Sequence, residues 1–80
     1  MTNKLWDKKR KAVYELLKKM RVEADVTQVE LSAALNKPQS YVSKYETGER
    51  KLDLVEVSEI CEELGTTLSA FSVEFESCIS

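Results

Sequence analysis

Two helix start signals divide this chain of 80 residues. Thr27 is followed by Glu30, and Asp53 by Glu56, each at the spacing of a capping box. In such a box the two side chains satisfy backbone N–H groups that a helix leaves free at its beginning. Because only two glycines and one proline interrupt the chain, the sequence predicts an all-α fold made of short helices.

Apolar residues recur at helical spacing on both sides of these signals. In the first segment they are Val13, Leu16, Leu17 and Met20. The pattern predicts five helices in one compact domain over 1–80, and they span 7–21, 27–35, about 38–46, 54–64 and about 67–76. The tail beyond Glu76 is expected to fray.

The second and third helices are predicted to form a helix-turn-helix over about 27–46. Asn36 between them tolerates a left-handed backbone, so the chain can reverse within a few residues. Pro38 suits the first turn of a helix, where its missing N–H costs nothing, and Gly48 suits the cap at the end. Each helix has a single narrow apolar side, so we expect the third helix to project from the body.

The charges are sorted along the chain, although the net charge is only −2. Residues 1–51 hold all 12 Lys and Arg against 7 acids, whereas residues 52–80 hold 7 acids and no base. A basic end remains compatible with a polyanionic partner, because phosphates respond to the local potential within a Debye length. The alternative is that the sorting only keeps the two ends soluble or steers a partner chain.

Several classes of function are disfavoured by residues that the chain lacks. It has no histidine, and Cys61 and Cys78 do not have the spacing of a metal or redox motif. Without a Gly-rich phosphate loop either, we expect neither an enzyme nor a bound metal or cofactor. Cys61 is expected to be a buried apolar residue. Since no apolar run reaches the ~20 residues that cross a bilayer, we expect a cytoplasmic protein with no membrane partner.

The third helix has one side that can pack and one that cannot. Val42, Tyr45 and Glu46 share the first side. The polar residues of the other side are Gln39, Ser40, Ser43 and Lys44. Gln can pair with the edge of adenine, Lys with O6 and N7 of guanine, and Ser with either base. The exposed residues Gln39, Ser40 and Lys44 are therefore chemically suited to reading bases in the DNA major groove.

The stretch TQVELSAALNKPQSYVSKYETGERKLDLVEVSEICEELG, at 27–65, strongly resembles the Cro and lambda-repressor type (Xre) helix-turn-helix family. The matching motifs are TQ-x-E-L at 27–31, S-x-V-S-K-Y-E-x-G-x-R at 40–50 and L-x-x-V-x-x-I-C-E-x-L-G at 54–65. The resemblance implies a five-helix DNA-binding domain, usually dimeric, that acts as a transcriptional regulator such as a repressor. A glycine commonly occupies the position of Asn36 in this family.

The resemblance implies that Gln39, Ser40, Ser43 and Lys44 contact bases, and it also implies which residues contact the DNA backbone. It places Thr27 and Gln28 near a phosphate at the start of the second helix. Arg50 and Lys51 fall in the loop that grips the backbone, although in most proteins such loop residues are ordinary surface residues. Tyr41 falls at the groove wall, with packing against the second helix as the alternative. An ion pair between Arg21 and Glu46 is implied to hold the reading helix at a fixed angle.

The end of the chain is predicted to contact another protein copy. The fifth helix presents exposed-looking apolar residues, of which Leu68, Phe71 and Phe75 are the predicted dimer contacts. A homodimer would set two copies of the third helix ~34 Å apart on a pseudo-palindrome in double-stranded DNA. The alternative is a protein-binding module, such as an antitoxin covering a toxin or an anti-regulator. Leu5 and Trp6 are expected to cap the core or to join the dimer contact.

Overall fold

The protein is described by a computed structural model, which gives the backbone of residues 4–80 and the side chains of residues 8–80. Over this range the chain forms helices and no strand, so the predicted all-α class is confirmed. The five helices are α1 (Lys4–Glu23), α2 (Gln28–Ala34), α3 (Tyr41–Glu46), α4 (Leu54–Glu63) and α5 (Leu68–Ile79). α1 contacts α3 and α5, and α2 contacts α3 and α4.

Both predicted capping boxes form. The backbone N–H of Glu30 donates to Thr27 Oγ1 at 3.0 Å, and that of Thr27 donates to Glu30 Oε1 at 2.9 Å. The second box has the same two bonds, at 2.8 and 3.0 Å, between Asp53 and Glu56. These bonds fix where α2 and α4 begin, because they satisfy N–H groups that have no partner within the helix.

The predicted boundaries of three helices are wrong. α1 runs from Lys4 to Glu23 and not over 7–21. α3 begins at Tyr41 and not near Pro38, since Gln39 and Ser40 form a turn in which the Tyr41 N–H donates to the Pro38 carbonyl at 2.9 Å. α5 does not fray beyond Glu76 but continues to Ile79. Its last residues lie beside α1, where Ile79 lines the same groove as residues of that helix. This neighbour was not visible in the local pattern.

The reversals between helices use left-handed backbone. Asn36 has a φ of 58° and Gly48 a φ of 85°, as the turn after α2 and the end of α3 require. Asp25, with a φ of 60°, does the same after α1, which the sequence pattern did not predict. Asn and Asp are the non-glycine residues that accept this conformation most readily.

The core lies where all five helices meet. Its fully buried residues come from α1, α2, α3 and α4, namely Leu17, Leu31, Val42, Tyr45, Ile60 and Cys61. The burial of Cys61 raises the pKa of its thiol, whereas Cys78 near the end of α5 is exposed. None of the described helices is both long and apolar enough to cross a membrane.

Candidate nucleic-acid interface

The four residues that were predicted to read bases lie on the outer side of α3 and the turn before it. Gln39, Ser40 and Lys44 are exposed, and Ser43 is half-buried. On the inner side, Val42 and Tyr45 are fully buried. We call Gln39, Ser40, Ser43 and Lys44 the polar face of α3. The face thus consists of two residues from the turn and two from the helix.

The inner side of α3 is tied to α2 by a buried serine. Ser32 is fully buried, and its Oγ accepts a hydrogen bond from the Val42 N–H at 3.2 Å. This N–H belongs to the first turn of α3, where no helical carbonyl is available to it. Sequence reasoning missed this role of Ser32, although its place between Leu31 and Leu35 on the apolar side was a signal. A polar residue at a core position needs a hydrogen-bond partner.

The end of α3 is held by an ion pair between Arg21 of α1 and Glu46. The two side chains make a bidentate contact, with Nε to Oε2 at 2.7 Å and Nη2 to Oε1 at 3.1 Å. Only 10% of the Arg21 side chain and 3% of the Glu46 side chain are exposed. The hydrogen bond with Glu46 raises the pKa of Arg21. The Arg21 Nη1 also donates to the carbonyl of Val26 at 2.8 Å, so the pair connects α1, the following loop and α3.

Thr27 and Gln28, the residues predicted to meet a phosphate at the start of α2, both make hydrogen bonds within the protein. Gln28 donates from Nε2 to Glu46 Oε1 at 2.8 Å and so joins the ion pair. The hydroxyl of Thr27, which is exposed, accepts the Glu30 N–H in the capping box. The amide nitrogen of Gln28 carries a second N–H donor besides the one that Glu46 accepts, and a phosphate contact through that residue stays a prediction.

Tyr41 is buried and not exposed to solvent. It is only 6% exposed, and its ring meets that of Tyr45 edge-to-face with 5.6 Å between the centroids. Its hydroxyl donates to Glu56 Oε2 at 3.3 Å, so it packs towards α4. Burial, followed by the nearby Glu56 carboxylate, raises the pKa of Tyr41. Tyr41 is therefore packed, but its ring contacts Tyr45 and its hydroxyl contacts α4, whereas the packing alternative named the second helix. A contact with DNA stays a prediction.

Two cations lie over the Tyr41 ring. The Arg50 Cζ is 5.1 Å and the Lys37 Nζ 5.5 Å from its centroid, both within the range of cation–π attraction. Arg50 also donates from Nη2 to Glu56 Oε2 at 2.5 Å, and this hydrogen bond raises the pKa of the guanidinium. Lys51, the other predicted backbone contact, is exposed. Sequence reasoning missed Lys37 and Glu56, because only the folded chain brings them to Tyr41.

The predicted dimer contacts on α5 are less exposed than the sequence indicated. Phe71 is 5% exposed and belongs to the core, which corrects the expectation that its side chain is available at the surface. Leu68 and Phe75 are half-buried, and the Phe75 ring stacks on that of Phe71 at 6.2 Å. The most exposed large apolar residue of α5 is Val73. Leu5 and Trp6 lie outside the residues whose side chains are described.

Other surface features lie away from the polar face of α3. An open groove of about 560 Å³ runs between α1 and the end of α5, and it is lined in part by Lys8, Lys9, Lys11 and Lys19. Among the described side chains, no group of three His, Cys, Asp or Glu is placed to hold a metal ion. Leu54 and Val55 at the start of α4 are about two-thirds exposed.

The arrangement of α2, a tight turn and a third helix with one buried and one polar side defines a helix-turn-helix domain. The profile of a helix-turn-helix family matches residues 17–71, which is more than half of the chain. The chain belongs to this family, and membership supports the role of a DNA-binding transcriptional regulator.

Among solved structures, an XRE-family like protein from Pseudomonas syringae pv. tomato str. DC3000 is 37% identical. It superposes with a TM-score of 0.87 over 95% of this chain and 96% of that chain. The clp gene regulator ClgR from Corynebacterium glutamicum is 24% identical, with a TM-score of 0.79 over 89% of this chain and 76% of that chain. At this lower identity the likeness concerns the fold alone. No curated protein matches the chain.

Proposed function

We propose that the protein binds double-stranded DNA sequence-specifically as a small transcriptional regulator, with α3 and the preceding turn in the major groove. One observation carries this proposal. Gln39 and Ser40 in the turn before α3 and Lys44 on its outer side are exposed, whereas the inner side of α3, with Val42 and Tyr45, is fully buried. Their orientation is thus fixed by the core, and their side chains supply the donors and acceptors that base edges recognise.

The supports of α3 suit this use. The Arg21–Glu46 pair fixes its end, and the bond from Val42 to Ser32 fixes its beginning. A reading helix must be held at one angle, because base contacts depend on hydrogen-bond geometry. Arg50 and Lys51 follow α3 in the chain and are the proposed contacts with the DNA backbone. They add affinity without sequence preference.

The experiment that tests this function is selection from a pool of duplexes with random centres at moderate salt. We expect enrichment of a palindromic motif with half-sites ~10 base pairs apart. Lys44→Ala should relax the preference at one base pair, with a loss of about 1–3 kcal/mol. The matched control is Lys18→Ala, which removes an exposed lysine from α1 and should leave every base preference unchanged.

Failure of the wild type to enrich any sequence would overturn DNA reading by α3. The protein-binding module would then be the function to test, by a search for a partner chain such as a toxin.

We also propose that the bound form is a homodimer that uses one side of α5. Leu68, Phe75 and Ile79 share that side at helical spacing, and the first two are half-buried while Ile79 is 37% exposed. Two copies related by a two-fold axis would place their α3 helices ~34 Å apart.

Phe75→Asp should therefore give monomers in sedimentation experiments. The control is Val73→Asp, because Val73 points away from Phe71 on the same helix. Phe75 stacks on Phe71, so its replacement can disturb the fold, and circular dichroism checks that the Phe75→Asp protein is folded. Leu68→Asp serves as a second variant of the same side. A folded Phe75→Asp protein that remains dimeric would remove this side of α5 from the interface.

A further inference from the structure

Glu56 connects three parts of the molecule through one carboxylate. Its Oε1 accepts the Asp53 N–H at 3.0 Å at the start of α4. Its Oε2 accepts from the Tyr41 hydroxyl at 3.3 Å and from the Arg50 guanidinium at 2.5 Å. Tyr41 is the first residue of α3, and Arg50 belongs to the loop that follows it. The carboxylate therefore joins the beginning of α3, the loop after α3 and the beginning of α4.

The environment of this carboxylate restrains the Arg50 side chain. Only 15% of the Glu56 side chain is exposed, against 44% for Arg50. The guanidinium lies over the Tyr41 ring, with Lys37 over the same ring. A guanidinium carries five N–H donors in a planar fork, and the hydrogen bond to Glu56 uses one of its nitrogens. An arginine held on two sides in this way keeps donors for an anion and loses little freedom on binding it.

We propose that Glu56 is a positioning residue for DNA binding, which holds the Arg50 guanidinium against Tyr41 so that it meets a backbone phosphate beside the groove entered by α3. This role rests on the proposed function. In this role the negative charge of Glu56 strengthens DNA binding. Without such a role, a carboxylate near DNA would repel phosphates and weaken binding. A positioning role predicts instead that loss of the Glu56 charge weakens binding.

The test measures DNA affinity of Glu56→Gln at several salt concentrations, on the sequence selected by the wild type. Gln keeps the side-chain length and can replace Glu in a capping box, but it loses the charged partner of Arg50. We expect affinity to fall about fivefold, and the log-log salt slope to become less steep by about 0.9, the value for one phosphate contact. The matched control is Glu59→Gln, which removes the same charge from an exposed position on α4. It should leave affinity unchanged or raise it.

A second variant separates position from charge. Arg50→Lys keeps the positive charge but lacks the planar fork that lies over Tyr41 and bonds Glu56. We expect it to weaken binding about as much as Glu56→Gln, and the two changes together should weaken binding no further. This variant also keeps the test decisive if Glu56→Gln does not fold, which circular dichroism will show.

The outcomes distinguish this role from the proposed function. If the wild type binds a selected sequence and Glu56→Gln tightens binding as Glu59→Gln does, the positioning role is overturned and DNA binding stands. An Arg50→Lys protein with wild-type affinity and salt slope would also overturn it. If the wild type binds no DNA, both proposals are overturned together.

Discussion

Two arginine–glutamate pairs support α3, and they differ in their contact with water. Arg21 and Glu46, at the end of the helix, are 10% and 3% exposed. Arg50 and Glu56, beside its beginning, are 44% and 15% exposed. The buried pair is bidentate and takes a further hydrogen bond from Gln28. The outer pair is a single contact over the Tyr41 ring.

The difference in exposure separates two tasks. Breaking a buried pair leaves a charge without a partner or water, so such a pair holds its elements in one arrangement. An exposed pair is screened by salt and contributes little to stability. The Arg21–Glu46 pair is therefore suited to fixing the angle of α3, whereas the Arg50–Glu56 pair can orient a cation that remains accessible to a ligand.

The largest effect is expected from removal of one member of the buried pair. Arg21→Ala leaves Glu46 buried with Gln28 as its remaining donor, and should lower the free energy of unfolding by about 3–5 kcal/mol. Urea denaturation measures this change. Replacing both members, as Arg21→Met with Glu46→Leu, should recover much of the loss because no charge stays buried. A loss below ~1 kcal/mol for Arg21→Ala would show that the pair behaves like a surface contact.

A smaller effect is expected from loss of the hydrogen bond between Ser32 and the Val42 N–H. Ser32→Ala removes the acceptor of the buried Val42 N–H and should cost about 1–3 kcal/mol, the penalty for an unsatisfied buried donor. Denaturant titration again provides the measurement. The control is Ser69→Ala on the exposed side of α5, which should change stability by less than ~0.5 kcal/mol. Equal effects of the two exchanges would mean that α3 is anchored by its charges and apolar contacts alone.

The outer pair should matter little for folding. Arg50→Ala is expected to leave the thermal unfolding midpoint close to that of the wild type, because the pair it removes has a solvent-exposed guanidinium and so contributes little to stability. Differential scanning calorimetry at low and high salt can compare it with Arg21→Ala. A midpoint that falls as far as that of Arg21→Ala would remove the distinction between the two pairs.

The smallest effect is expected at low pH, where the stabilisation by the Glu56 carboxylate is lost. The Asp53 N–H, and after it Arg50, hold the pKa of Glu56 below the ordinary value of 4.5. The stabilisation by this carboxylate is therefore fully present above pH 4.5 and is lost as the pH falls through the lower, folded value. The difference in unfolding midpoint between wild type and Glu56→Gln should be larger at pH 7 than at pH 3. A difference that does not change with pH would assign the effect to shape and not to charge.

The sequence predicted the features that depend on a few adjacent residues. The capping boxes at Thr27 and Asp53, the left-handed turn at Asn36 and the end of α3 at Gly48 are local, so their side chains and backbone determine them. The outward direction of Lys44 also followed from helical periodicity.

The features that were missed depend on distant parts of the chain. The burial of Phe71 depends on α1 and α4, which contact α5, and the continuation of α5 to Ile79 depends on its contact with α1. The start of α3 was misplaced because Pro38 is compatible with a turn as well as with the beginning of a helix. The cluster around Glu56 joins residues from α3, α4 and their loop, and no spacing in the sequence indicates it.

The unequal burial of the two cysteines has a practical consequence. Cys61 is inaccessible, and burial raises the pKa of its thiol, so it forms little of the reactive thiolate. Cys78 is exposed near the end of α5. A maleimide dye should therefore label the native protein at Cys78 alone, so Cys61 need not be replaced first. Energy transfer between dyes on mixed copies would then report directly how close two α5 ends come in solution.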